Sequence, residues 1–275
     1  MRKLLIMVVC LAFTASTWAS IDDGLISYWS FDEGAGTTAA DGKGSNDGAL
    51  LVGPEGGGIA PIWTPGKWGN ALAFDGVSAY VDCGSDISLQ PAVVSVSAWV
   101  KQVAYNYYGQ IAGLATDSGD YESGYSLLSD DYWIGGAESL AMWVSGGPGE
   151  SDGSYIANTD VPPAGDWIHV VGTYDGTETI IYVNGVPGTP STAESGDIDY
   201  DYVTSFYIGL YWTPGPEVPT EWFLPYSGLI DDVGVWGRAL TQGEVSWLSN
   251  NPIPEPATLT LLGLGALGLM RRKRR

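Results

Sequence analysis

The sequence predicts an all-β protein, and three observations carry that expectation. Apolar residues alternate with polar ones in short runs bounded by Gly, Asp, Asn and Pro, the period-2 signature of strands rather than the 3.6-residue period of helices. The 39 glycines and 16 prolines are scattered without a period, as many short strands joined by turns require. Asp-Gly and Asn-Gly pairs stand between alternating runs, where glycine supplies the positive φ of a tight hairpin turn.

The strands are predicted, in order, at residues 25–31, 71–74, 93–100, 167–174, 179–183, 206–210 and 229–236. Thr173-Tyr174-Asp175-Gly176-Thr177 and Tyr182-Val183-Asn184-Gly185-Val186 read as two successive hairpin turns, hence a meander. One helix signal stands out. In Thr241-Gln242-Gly243-Glu244 the threonine can accept from the Glu244 amide while the glutamate reaches back, with Val245, Trp247 and Leu248 forming the apolar side of a short helix.

Residues 1–19 have a basic start (Arg2, Lys3), an apolar stretch to Phe13 and a small-residue end at Thr17-Trp18-Ala19, the pattern of a signal helix cleaved before Ser20. A lipoprotein signal on Cys10 is the alternative, disfavoured by Val9 where a small residue is wanted. The other end runs Pro254-Glu255-Pro256, then apolar residues 257–270, then Arg271-Arg272-Lys273-Arg274-Arg275. About 14 apolar residues span roughly 21 Å as a helix, short of a bilayer core of about 30 Å. A short hydrophobic helix that inserts transiently fits better than a permanent anchor, with the basic cluster left on the cytoplasmic side. This order of Pro254, Glu255 and Pro256, apolar helix and basic end resembles the PEP-CTERM sorting signal of Gram-negative bacteria. The resemblance implies an exosortase-type processing enzyme as partner, contact with the membrane before processing, and placement in the cell envelope or matrix, often beside exopolysaccharide. The chain thus divides into 1–19, a globular domain at 20–250 and a sorting segment at 251–275.

Between the ends only Lys43, Lys67, Lys101 and Arg238 oppose 31 acidic residues, a net charge near −27. Such a body repels nucleic acid and anionic lipid and attracts cations. Cys10 and Cys83 are the only cysteines, so a domain without the signal has no internal disulfide and relies on its core or on metal ions.

Several segments together resemble laminin-G-like jelly-roll domains. They are Leu25-Ile26-Ser27-Tyr28-Trp29-Ser30-Phe31-Asp32-Glu33-Gly34-Ala35-Gly36-Thr37-Thr38, Ala71-Leu72-Ala73-Phe74-Asp75-Gly76, Val96-Ser97-Ala98-Trp99-Val100-Lys101, Trp167 to Gly176, Tyr182-Val183-Asn184-Gly185, and Gly228-Leu229-Ile230-Asp231-Asp232-Val233 ending at Arg238-Ala239-Leu240. Six pieces in the family's order imply the concanavalin A-like sandwich of two curved antiparallel sheets. Two departures stand out: Gly234, where the family often carries a charged residue, and stretches 105–154 and 196–226, which read as Tyr-rich insertions.

The fold also houses glucanases with a Glu-x-Asp-x-x-Glu strand, and that pattern is absent from the sequence. Asp197, Asp199 and Asp201, and Asp117, Asp120 and Glu122, read as solvated acidic loops, and Ile208 stands where an EF-hand beginning at Asp197 would need its twelfth-position Glu. His169 is the only histidine, shares a strand face with Trp167 and Val171, and reads as structural, because a zinc site or nucleophilic triad needs partners. The sequence therefore points to a non-catalytic, carbohydrate-binding jelly roll with a polysaccharide or glycoprotein ligand. An adhesive protein with protein partners, or a divergent glycan hydrolase or lyase, are the alternatives. Aromatic rings stack on sugars while Asp and Asn take hydroxyls. Trp212, Trp222, Tyr107 and Trp133 are the candidate ligand residues, drawn from a group that includes Tyr105, Tyr108 and Tyr132. A structural Ca2+ is expected where the first and last strands meet, with Asp231 and Asp32 as metal ligands, since the segment Ile230 to Val233 is similar to the terminal strand of related glucanases whose matching Asp binds calcium. Asp231 and Asp232 should face opposite ways on that strand. The loop from Asp41 to Asp47 is either a source of further oxygens or a turn.

Overall fold

A computed structural model describes residues 21–53, 57–105, 107–117, 122–130, 137–145, 154–158, 160–212 and 223–254. The signal segment and the tail from Glu255 onward lie outside the described residues, as do Trp133, Trp222, Tyr132 and Asp120. Among the described residues no helix is long and apolar enough to cross a membrane.

Among the described residues eighteen strands follow in chain order. The first six are β1 (Leu25–Trp29), β2 (Thr38–Ala39), β3 (Gly48–Val52), β4 (Ile62–Pro65), β5 (Asn70–Asp75) and β6 (Ala79–Asp82). The next six are β7 (Val94–Gln102), β8 (Gly109–Asp117), β9 (Glu122–Asp130), β10 (Ser139–Val144), β11 (Ser154–Asn158) and β12 (Ile168–Tyr174). The last are β13 (Thr179–Val183), β14 (Val186–Pro187), β15 (Tyr207–Ile208), β16 (Leu210–Trp212), β17 (Phe223–Pro225) and β18 (Ser227–Trp236), before helix α1 (Gln242–Leu248). One antiparallel sheet runs β14-β13-β12-β7-β18-β5-β4, with β1 pairing the far half of β18; the other runs β11-β10-β9-β8-β15-β6-β3-β2. The chain passes back and forth between the sheets, for example from β5 to β6, from β7 to β8 and from β11 to β12. This is the two-sheet sandwich the resemblance implies.

The expected local signals form as read. Asn184 and Gly185 take φ of 50° and 79°, and Gly176 takes 92°, closing the two hairpins of β12, β13 and β14. Thr241 and Glu244 make the full capping box of α1, and Glu244 also takes both Arg238 Nη groups at 2.9 and 2.7 Å.

Stretch 105–154 is not an insertion. It supplies β8, β9 and β10, three neighbouring strands of the second sheet. Tyr105 is buried there, its hydroxyl donating to the Pro162 carbonyl at 2.9 Å.

Large side chains fill the space between the sheets. Trp29 stacks on Phe206 with centroids 5.3 Å apart, and Tyr125, Phe74, Tyr226, Leu72 and Val96 belong to the same buried cluster. Each such side chain stabilises the sandwich by roughly 1.5–3 kcal/mol on burial. The outer face of the first sheet is covered too. Helix α1, Ile21, Trp236 and Ile253 pack on it, and the Trp236 indole donates to the Ile21 carbonyl at 2.7 Å. Gly234 finds its reason here: a Cβ would lie 2.6 Å from Trp236 Cη2 and 2.7 Å from Ile253 Cδ1, so the charged residue common in the family has no room.

Candidate functional site

A hairpin packs on the outer face of the second sheet. At Gly209 the chain leaves β15 with φ 83°, and a Cβ there would strike the Phe74 ring at 2.1 Å, so only glycine makes this exit. The buried Gln110 amide then holds the chain on both sides of the exit, donating to the Tyr207 carbonyl at 3.1 Å and the Leu210 carbonyl at 2.7 Å, while its oxygen accepts from Ser126 Oγ at 2.6 Å. Strands β16 and β17 pair beyond it, with Trp212 opposite Phe223.

Four rings meet under this hairpin. Trp212 lies 6.0 Å from Tyr80 and 5.9 Å from Tyr207, the two tyrosines are 5.7 Å apart, and Phe223 is 6.5 Å from Trp212. Tyr80 and Tyr207 are buried, whereas Trp212 and Phe223 are half-buried and form the accessible side of the cluster. Burial, then the Asp82 carboxylate and Tyr207, raises the Tyr80 hydroxyl above its usual range, so it stays a neutral donor. Beside this cluster a second one joins Trp143, Leu128 and Tyr211, with Tyr108 and Leu224 against it. Tyr107 stands at its margin, half-buried, with its ring edge-on to Tyr108 at 4.6 Å.

Of the four ligand residues expected from sequence, Trp212 and Tyr107 therefore sit on the second sheet's outer side in separate clusters, and Trp133 and Trp222 lie outside the described residues. Trp212 is a packed ring with one accessible side rather than a free-standing one. Tyr80, Tyr207 and Phe223 join Trp212 without belonging to the residues the sequence picks out. Tyr80 was findable, because in Ala79-Tyr80-Val81 it holds the phase where a half-solvated strand places a polar side chain.

The carboxylates expected to hold calcium lie on the opposite side of the molecule. A bulge in β18 gives Asp232 a φ of 49°, and Ile230 and Val233 both face the core, so Asp231 and Asp232 share the outer face of the first sheet. This corrects the expected alternation. Asp231 is fully buried: its Oδ2 accepts from the Lys67 and Trp68 amides at 2.7 and 3.0 Å, and its Oδ1 has no partner. Burial pushes its carboxyl up to about 7 against those amides and that of Asp232, with the Asp32 charge adding to the rise. Asp32 Oδ1 accepts from the Asn70 amide at 2.7 Å, so the two acids grip opposite ends of one turn, and Tyr28 donates its hydroxyl to Asp232. Among the described residues no three acidic, His or Cys side chains stand together, so a calcium ion at the orphaned Oδ1 would draw the rest of its six to eight oxygens from carbonyls and water. The 41–47 loop is a self-closed turn. Burial raises the Asp41 carboxyl, but amides of Gly44, Tyr28, Asn46 and Lys43 outweigh it and leave the group below its usual range.

His169 is structural, as its strand position suggests. Its Nε2 pairs with Ser97 Oγ at 2.9 Å, its ring lies 5.1 Å from Trp99, and burial with the nearby Lys67 charge lowers it to about 3. Cys83 is a buried free thiol whose burial pushes its pKa well up.

The family model described as concanavalin A-like lectin/glucanases superfamily matches residues 75–246. The chain belongs to that superfamily. A second model, the PEP-CTERM protein-sorting motif, matches residues 252–275 and marks this superfamily member as an exported cell-surface protein whose tail an exosortase processes. No curated protein matches the chain in sequence. Among solved structures, the chain is similar to domain 4 of AbnA, a GH43 extracellular arabinanase from Geobacillus stearothermophilus in complex with arabinotriose. The TM-score is 0.62 at 24% identity, covering 82% of this chain and 98% of that one. It is also similar to the binding domain of Paraclostridial Mosquitocidal Protein 1 (TM-score 0.55, 15% identity, 84% and 52% covered) and to the Trypanosoma rangeli sialidase in complex with sialic acid (TM-score 0.54, 16% identity, 88% and 38% covered). At these identities the likeness is one of fold.

Proposed function

We infer that this exported domain binds polysaccharide without cleaving it, through the outer face of the second sheet. The observation that carries the reading is the Trp212, Phe223, Tyr80 and Tyr207 cluster. Two buried tyrosines fix two half-buried rings, so the accessible aromatic side is rigid before any ligand arrives and loses little entropy on binding. Asp82, paired in register with Tyr207, supplies a carboxylate at the edge of that patch for sugar hydroxyls. The non-catalytic part of the reading rests on the sequence, which lacks the glucanase carboxylate pattern. A structural calcium at Asp231 and Asp32 belongs to the same proposal, as a clamp on the turn between β4 and β5 and not as part of the sugar face.

Affinity electrophoresis through a panel of soluble polysaccharides, arabinan included, tests this. Retardation by at least one polysaccharide is expected. Trp212→Ala and Phe223→Ala should each weaken it about tenfold, the loss of one stacking ring, while Tyr107→Ala changes it less. A Trp212→Ala protein that stays folded by circular dichroism and is retarded like the wild type refutes the assignment of this face.

A further inference from the structure

The aromatic patch of the hairpin face is one end of a longer surface. Thr38, Ala49, Asp82 and Tyr207 stand in register on β2, β3, β6 and β15, so they form one row across the second sheet, on the side where Tyr207 meets Trp212. Past Tyr207 the row runs on to Gly113, Ser126 and Trp143, and there Tyr211 of the hairpin packs on it. Toward β2 it is open: Thr38 and Ala49 are exposed, and so is Leu51, the register partner of Tyr80. Ala49 and Asp82 also line a cavity of about 540 Å³, which Ser45, Asp47, Ser85 and Asp86 help to wall.

We propose that the polysaccharide held by the hairpin face is an uncharged one whose chain runs from Trp212 across Asp82 into this cavity, with Asp82 setting the preference against acidic polymers; the proposal rests on the polysaccharide reading above. The route follows from the shape of the face. Beyond Tyr207 the hairpin occupies the row, so an extended ligand stacked on Trp212 and Phe223 leaves the patch over Asp82 and Ala49, a path of two strand spacings, roughly 10 Å. Ala49 is small enough to leave that floor low, and Leu51 beside it continues the apolar surface of the patch. The class of ligand follows from the charges along the route. Asp82 and Asp47 are each held by a backbone amide on Oδ1, that of Gly84 at 2.9 Å and that of Asp41 at 2.8 Å, and the Ser88 amide holds Asp86 in the same way at 2.9 Å. Among the described residues the lining of the cavity holds no Lys, Arg or His, and Lys43, on the loop that brings Ser45 and Asp47, is engaged with Asp22 at 2.7 Å. Sugar hydroxyls donate to such carboxylates and to the Ser45 and Ser85 hydroxyls, whereas a uronate or sulfate would bring a like charge against Asp82 at the step where the chain must cross it.

Affinity electrophoresis at low ionic strength, where charge effects are largest, tests this by comparing hydroxyethylcellulose, arabinan, galactomannan and dextran with the carboxymethylated form of each. A neutral polymer that retards the wild type is expected to do so about tenfold better than its carboxymethylated form. In Asp82→Asn, which keeps an oxygen for the Gly84 amide, that ratio should fall about threefold or more. Asp166→Asn removes the same charge from the loop before β12, outside the patch and the cavity, and should leave the ratio unchanged, which separates the action of Asp82 from that of the acidic body as a whole. Ala49→Gln raises the floor of the route and should weaken retention by the neutral polymer about fivefold in protein that stays folded by circular dichroism. If Ala49→Gln fails to fold, Ala49→Thr, a better strand former, carries that arm. Equal retardation by the carboxymethylated form, an unchanged ratio in Asp82→Asn, or wild-type retention of the folded Ala49 variant overturns the proposal, while loss of retention in Trp212→Ala in the same gels shows that the polysaccharide reading itself stands. Retardation by no polymer of either kind overturns both.

Discussion

Replacing Asp231 with asparagine should stabilise the domain at alkaline pH and change it little under mild acid. Asp231 is fully buried, with its Oδ2 accepting from the Lys67 and Trp68 amides. Its carboxyl is raised from 3.8 to about 7, chiefly by burial, so the folded chain holds this proton more tightly than the unfolded one. Stability from this group is therefore greatest below the unfolded value, falls as pH climbs from about 4 to about 7, and is lowest above that. The full disadvantage is about 4 kcal/mol, of which roughly 2 to 3 kcal/mol develops between pH 5 and pH 8. Asparagine keeps an oxygen for the Lys67 and Trp68 amides and has no charge to desolvate, although its NH2 inherits the unpartnered position at a cost of about 1–2 kcal/mol. A net gain of about 2 kcal/mol at pH 8 follows. Urea unfolding of both proteins at pH 5 and pH 8 in chelator measures it. A wild type whose pH 5 to pH 8 change matches that of Asp231→Asn would refute the buried-charge argument. Adding calcium at pH 8 then tests the clamp: an ion at 100 times its Kd stabilises by about 2.7 kcal/mol, in the wild type and not in the variant. An unchanged wild type removes the calcium proposal.

Two further outcomes concern the covered face of the first sheet. Gly234→Ala, which drives a Cβ into Trp236 and Ile253, should destabilise by about 1–3 kcal/mol in denaturant unfolding, and Gly234→Arg by more; a neutral Gly234→Arg would show that Ile253 is not seated there. Glu244→Ala takes the carboxylate away from both Arg238 Nη groups and opens the capping box of α1, for an expected loss of about 2–3 kcal/mol, with Glu244→Gln falling between it and the wild type.

Much of the fold was legible because its signals are local. The turns at Asp175-Gly176 and Asn184-Gly185 and the Thr241 to Glu244 cap each depend on residues within a few positions of one another, and each forms as read. Strands β8 to β10 were missed for a physical reason. Their inner residues, such as Leu127 and Met142, face the core, and their outer ones, Leu128 and Trp143, face the second cluster beneath the hairpin, so both phases are apolar and the period-2 signal disappears. Only the covering hairpin, distant in sequence, makes sense of them. The candidate site was half legible for the same reason: Trp212 could be picked out as a large ring near prolines, but the tyrosines that hold it come from β6 and β15. The bulge at Asp232 has no local signature beyond two adjacent aspartates, and it reverses the facing that alternation assigns.

The seat of Ile253 sets the length of a leash. The residue is buried against Trp236, and the apolar part of the tail begins at Ala257, four residues later. Four residues reach at most about 14 Å. A tail seated in a bilayer therefore holds the α1 side of the sandwich close to the lipid surface, with too little slack for the domain to turn over. With the tail so seated, the hairpin on the far sheet would look away from the lipid and the face around Ile253 would look toward it.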